Sequence, residues 1–114
     1  MEFNEHKPIY LQISDTICDK ILGDEWREEE RIPSVRELGI TLGVNPNTIM
    51  RTYDHLQSIE IIYNKRGVGY YVTAGAKATI VSLQREQFIK EELPKITKRM
   101  NLLGLKPSDI FRDL

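Results

Sequence analysis

Asn47, Arg51 and His55 fall four residues apart in a segment with a helical pattern, so they form one row along a helix surface. Their side chains suit the edges of base pairs. An arginine can donate two hydrogen bonds to guanine O6 and N7, and an asparagine can pair with adenine N6 and N7. Thr48, at the start of the same segment, could reach a phosphate or a thymine methyl, and a helix N-terminus itself attracts phosphate. Arg36, early in the preceding helical segment, could bond a phosphate or a base edge. Lys65, Arg66 and Gly67 make a basic, glycine-containing turn that could enter a minor groove or lie over a phosphate. Any surface helix has a polar face. The helix before this row and the basic hairpin after it are what favour DNA.

Other chemistry finds little support. His6 and His55 have no neighbouring ligand set, so no metal site is expected. Cys18 reads as a small buried filler, and a single cysteine excludes an intrachain disulfide. There are no paired carboxylates, no nucleophile-base set and no phosphate-cradling loop, so neither an enzyme nor a cofactor is expected.

The elements that must hold these residues follow from pattern. Pro8 to Leu22 reads as a helix with Ile9, Ile13, Ile17 and Ile21 on one face, Pro8 at its first position and Gly23 as its stop. Asp24 to Arg31 is a connector anchored by Trp26, with Glu28–Glu30 as a solvated turn. A second helix starts at Ser34, which forms a capping box with Glu37. Val35, Leu38 and Leu42 give its apolar stripe, and Gly43 ends it. Asn45 caps a third helix, with Pro46 first and Ile59 last. There Ile49, Tyr53 and Leu56 mark the buried side, opposite the polar row. Ile61–Tyr63 and Val68–Val72 read as strands joined by Asn64–Gly67, with Tyr70 and Tyr71 on opposite faces. Two helices across a glycine turn, then a basic hairpin, describe a winged helix-turn-helix. Ser34, Arg36, Asn45, Asn47, Thr48, Arg51, His55, Lys65, Arg66 and Gly67 are its DNA-facing residues.

After Gly75 the pattern changes. Ile89, Leu93, Ile96, Met100 and Leu103 form one helical stripe, preceded by Ile80, Val81, Leu83 and Phe88. Pro94 should bend or break this helix, Gly104 ends it, and a short last helix covers Asp109 to Leu114. The expected fold is mainly α with a small β-hairpin: a winged helix-turn-helix at residues 1–74 and a helical dimerisation segment at 75–114. Val81, Phe88, Ile89, Leu93, Ile96, Met100 and Leu103 are the candidate dimer contacts, some of which could also pack within the chain.

The chain has 114 residues, enough for one compact domain and an appendage. No apolar run is long enough to span a membrane, and the acidic Met1–Glu5 segment lacks a secretory pattern, so a cytoplasmic protein is expected. The net charge of −1 does not by itself suggest nucleic acid. Its distribution is more informative: residues 1–30 hold three basic and nine acidic side chains, whereas residues 31–74 hold five basic and three acidic. Such a reader should bind random DNA weakly and depend on specific contacts. A winged helix serving as a protein-interaction module is the alternative, and salt-dependent duplex binding separates the two.

The chain resembles the GntR family of bacterial transcriptional regulators. The resemblance is carried by Pro8–Ile13, Arg31–Leu38, Gly43–Thr48, Arg51–Tyr53 and Arg66–Val72. It implies DNA roles for Arg36, Asn47, Thr48, Arg51, Arg66 and Gly67. The Asn45–Thr48 turn and the short tail resemble the YtrA-like subfamily. That likeness implies a tail that dimerises, and members often regulate neighbouring transporter genes. Two departures stand out. Met50 precedes Arg51 where many relatives have two adjacent basic residues, and Glu30 stands where the loop commonly carries glycine. The expected function is a homodimeric regulator, a repressor, on a palindromic double-stranded operator. A small-molecule effector would fit such a protein, but no residue identifies one.

Overall fold

The computed structural model describes residues 7–112. The acidic Met1–Glu5 segment, His6 and the end of the last helix at Leu114 lie outside these residues. Helix α1 (Ile9–Leu22) buries Ile13, Ile17 and Ile21, while Ile9 is 48% exposed. The apolar stripe therefore outruns the core by one turn. Pro8 stands just before the helix rather than at its first position, and its carbonyl accepts from the N–H groups of Leu11 and Gln12.

Helix α2 (Val35–Leu42) is so short that unpaired end groups matter to it. Ser34 Oγ accepts from the Glu37 N–H at 3.1 Å, and the Glu37 carboxylate accepts from the Ser34 N–H at 3.2 Å. The helix ends at Gly43, in the left-handed conformation with φ 65°. Gly39 matters for space: a Cβ there would lie 2.9 Å from the Val44 carbonyl oxygen, so the turn closes tightly over a bare backbone.

Helix α3 (Pro46–Ser58) fully buries Ile49, Tyr53 and Leu56. Two polar bonds fix its seat. The buried Thr52 hydroxyl lies 3.0 Å from the carbonyl oxygens of both Tyr10 and Thr48, tying α3 to the start of α1. The Tyr53 hydroxyl donates to the Pro33 carbonyl at 2.6 Å, tying it to the entry of α2.

Strands β1 (Ile62–Lys65) and β2 (Gly69–Val72) pair antiparallel, with Tyr63 opposite Tyr71 and Lys65 opposite Gly69. The first strand runs two residues beyond the expected Tyr63. Asn64 and Lys65 belong to the ladder, and the turn shifts to Arg66–Val68, closed by the Val68 N–H on the Lys65 carbonyl at 2.8 Å. The expected turn at Glu28–Glu30 forms, with Glu29 and Glu30 exposed, but its backbone and the residues after it also pair with the second strand. Glu29 and Ile32 donate their N–H groups to the carbonyls of Val72 and Tyr70, and the Glu30 carbonyl accepts from the Val72 N–H. This segment therefore lines the free edge of β2. The left-handed residue in it is Glu29, with φ 65°, next to Glu30. The Glu28 carboxylate accepts from the Gly75 N–H, and Asp24 pairs with Lys77 at 2.9 Å, fastening the connector to the start of the next helix. Trp26 is half-buried against the core, as an anchor should be.

Helix α4 (Ala76–Gln87) starts in this first compact unit, which extends to Ile80 and buries Ala76 and Ile80 in its core. A second compact unit begins at Val81. The helix continues through one π turn, Phe88–Glu92, into α5 (Leu93–Leu102). Pro94 has no N–H for the carbonyl four residues back. The helix absorbs that loss by widening one turn rather than breaking. Gly104, with φ 68°, ends it, and α6 (Pro107–Ile110) is shorter than the sequence suggests.

Candidate nucleic-acid interface

The N-terminus of α3 is capped by Asn45, whose carboxamide oxygen accepts from the Asn47 N–H at 2.8 Å. That bond leaves the Asn45 amide hydrogens to donate outward, and the capping bond at α2 likewise leaves the Ser34 hydroxyl hydrogen. Along α3, Asn47, Met50, Arg51 and Asp54 are exposed, while Thr48 and His55 are half-buried. In the row of Asn47, Arg51 and His55, the last two also contact α1. The Arg51 guanidinium carbon sits 4.1 Å from the centroid of the Tyr10 ring, and His55 meets the same ring edge-on at 6.1 Å. This side of the row leans on α1. On the other side, the Tyr70 hydroxyl donates to the Met50 sulfur at 3.9 Å, and the Tyr70 ring packs edge-on against Tyr53 at 4.9 Å. The face is thus flanked by Tyr10 of α1 and Tyr70 of the wing.

The second helix and the wing bring further donors to this unit. Arg36 is exposed in the first turn of α2. The neighbouring Glu37 carboxyl is held below its usual range by its hydrogen bonds with Ser34. Arg66 and Gly67 form the exposed loop, with Gly67 at φ 79°. Lys65 lies instead on the strand, its Nζ 5.6 Å from the Tyr71 ring centroid, and Tyr71 stacks on Tyr63. Arg31 is laid across the second strand: a Cβ on Gly69 would come 2.9 Å from its Nε.

Residues 9–72 match the sequence profile of the bacterial regulatory proteins, gntR family. The chain belongs to the GntR family. It is 36% identical over 113 residues to the uncharacterized helix-turn-helix regulator YhcF of Bacillus subtilis, covering 99% of this chain and 92% of that one. It is 36% identical over 99 residues to the transcriptional repressor YtrA of Bacillus subtilis, covering 87% of this chain and 75% of the other. A solved GntR-family regulator from Bacteroides thetaiotaomicron superposes with a TM-score of 0.82 at 50% identity, covering 92% and 91% of the two chains. The protein is therefore a small YtrA-like GntR regulator: a DNA-binding transcription factor with a winged helix-turn-helix and a long C-terminal helix, and not an enzyme.

Within this GntR chain, sequence reasoning did not find Tyr10, Arg31 and Tyr70 as supports of the reader. Their partners are distant in sequence and leave no local signature. Met50 had a signal, since it adjoins Arg51 on the helix, and its type left open whether the contact there is missing or apolar. In the second unit, Val81, Phe88, Ile89, Leu93, Ile96 and Leu103 are exposed, whereas Met100 is already buried within the chain. An exposed apolar hollow of about 420 Å³ is lined by Val81, Gln84, Arg85, Phe88 and Ile89. Cys18 is buried, and its thiol is pushed up to about 11 by burial and then by Asp15 and Asp19. Among the described residues no group of three His, Cys, Asp or Glu side chains is placed to hold a metal, and no helix is long and apolar enough to cross a membrane.

Proposed function

We propose that this GntR regulator is a homodimeric repressor that binds a palindromic operator, with residues 1–74 as the reader and 75–114 as the dimerisation tail. The observation that carries the reading is α3, where Asn47 and Arg51 face solvent while Ile49, Tyr53 and Leu56 on the opposite side are fully buried. The exposed part of this face has the chemistry to read base edges in a major groove, and Tyr10 of α1 supports its Arg51 from the side. Ser34, Arg36, Asn45 and Thr48 offer donors to the flanking phosphates, and His55 lies at the border of the face beside Tyr10. Lys65, Arg66 and Gly67 give the wing its basic approach to the backbone or minor groove.

The exposed apolar side chains from Val81 to Leu103 favour a second copy as the partner of the tail. A two-fold dimer would present two α3 helices to half-sites about 10 base pairs apart, centre to centre, or a multiple of that. Repression is favoured by likeness to the YtrA repressor. A chromosomal operator places the working compartment in the cytoplasm.

Selection from a random duplex library tests this reading. An enriched inverted repeat, bound by two chains in sedimentation with affinity falling as salt rises, is the expected result. Enrichment of no sequence, or of a single unrepeated site bound by one chain, would overturn it.

A further inference from the structure

Met50 is the one large hydrophobic side chain exposed on α3, at 42%. It lies three residues after Asn47 and four before Asp54, so it neighbours both on the helix surface. Its sulfur is 3.9 Å from the Tyr70 hydroxyl, and Tyr70 is itself set against the buried Tyr53 ring. A thioether has no proton to donate, so it cannot bond a phosphate, and pressing it against one would strip that phosphate of water. The apolar feature a major groove offers is the C5-methyl of thymine. Methionine suits that contact, because its unbranched chain adapts to shape and its sulfur is polarizable. The bond from Tyr70 limits the freedom the side chain would lose on binding.

We propose that Met50 is a specificity-determining residue that reads a thymine methyl in each half-site. This rests on α3 entering the major groove, as proposed above. Met50 thereby selects an A·T pair, where an arginine at the same place would select G·C.

The test uses the full chain and the tightest duplex from the random-library selection, remade with uracil in place of each thymine in turn. Uracil differs from thymine only in lacking the methyl. At one position per half-site, uracil should weaken wild-type binding about fourfold, the worth of one buried methyl group. Met50→Ala, at an exposed site, should fold with an unchanged melting temperature and bind the two duplexes equally. Met50→Arg should move the preferred base at that position from thymine to guanine. A wild-type protein indifferent to uracil at every thymine would overturn the proposal, as would a penalty kept in full by Met50→Ala. If selection enriches no duplex at all, the operator reading falls first and the role of Met50 falls with it.

Discussion

The Arg51 guanidinium carbon lies 4.1 Å from the centroid of the Tyr10 ring, so the main candidate base reader is stacked on an aromatic face supplied by another helix. Stacking of this kind contributes about 0.5–1 kcal/mol at an exposed site. It also narrows the positions the guanidinium explores. The Tyr10 backbone is fixed independently, because its carbonyl lies 3.0 Å from the Thr52 hydroxyl. Changing the Tyr10 side chain should therefore alter the reader without unseating α1. Tyr10→Leu is expected to weaken operator binding about threefold or more with little change in random-duplex affinity. Tyr10→Phe keeps the ring face and should bind nearly as wild type. Competition binding with the two duplex types measures both, and equal loss in the Leu and Phe variants would assign Tyr10 to its hydroxyl instead.

Arg51 itself should carry discrimination rather than bulk affinity. If its guanidinium pairs with guanine O6 and N7, Arg51→Ala loses about 1–3 kcal/mol between operator and non-operator DNA. The salt dependence of binding should hardly change, since no phosphate contact is removed. Equal loss on operator and random duplex would reassign Arg51 to the backbone.

How much of this was legible depended on distance along the chain. Ser34 with Glu37, and Asn45 with Pro46, are local signals, and both caps form as their spacing suggests. Ile49, Tyr53 and Leu56 are likewise set by helical period, and all three are fully buried. The period misled at Ile9, because a stripe does not reveal where the core beneath it ends. The contacts of Tyr10 with Arg51 and of Tyr70 with Met50 join residues far apart, so only the folded chain displays them. The same holds for Glu29–Ile32 along β2, where the bonds are made by backbone and no side-chain alternation announces them. Pro94 was readable as a disturbance but not as a kind, since a break and a π turn both accommodate its missing donor.

Two buried protons should shape alkaline stability. The Cys18 thiol rises from its ordinary 9.0 to about 11 through burial, with Asp15 and Asp19 adding to the effect. Burial also raises the Tyr53 phenol above its usual 10.0. Both folded values lie above the unfolded ones, so the folded state retains protons that the unfolded chain loses. Their stabilisation is present in full below the unfolded values and is lost as pH rises through the folded ones. Wild-type unfolding midpoints should fall from about pH 9 to pH 11. Cys18→Ala should flatten the first part of that fall. Tyr53→Phe should flatten the later part, and it should also cost about 1 kcal/mol at neutral pH by leaving the Pro33 carbonyl without its donor. Denaturant midpoints measured across this range check both. An alkylating reagent should label Cys18 far faster in the urea-unfolded chain than in the folded one.

The tail offers a test that separates assembly from folding. Leu93 and Ile96 are 38% and 44% exposed in the single chain, whereas Met100 on the same stripe is 9% exposed. A partner that covers this surface would gain area from Leu93 and Ile96 and little from Met100. Leu93→Asp should therefore leave the monomer folded but place a charge where the second copy must pack, a burial no partner would tolerate unpaired. Sedimentation should report monomers. Affinity for the full inverted repeat should fall about a hundredfold or more, because the second reader no longer binds at the high effective concentration that linkage supplies. Affinity for an isolated half-site should persist. Met100→Ala should behave differently: it removes a packed side chain and should lower stability by about 2 kcal/mol or more. Operator binding by that variant should survive below its melting temperature. A Leu93→Asp protein that still sediments as a dimer would place the subunit contact elsewhere.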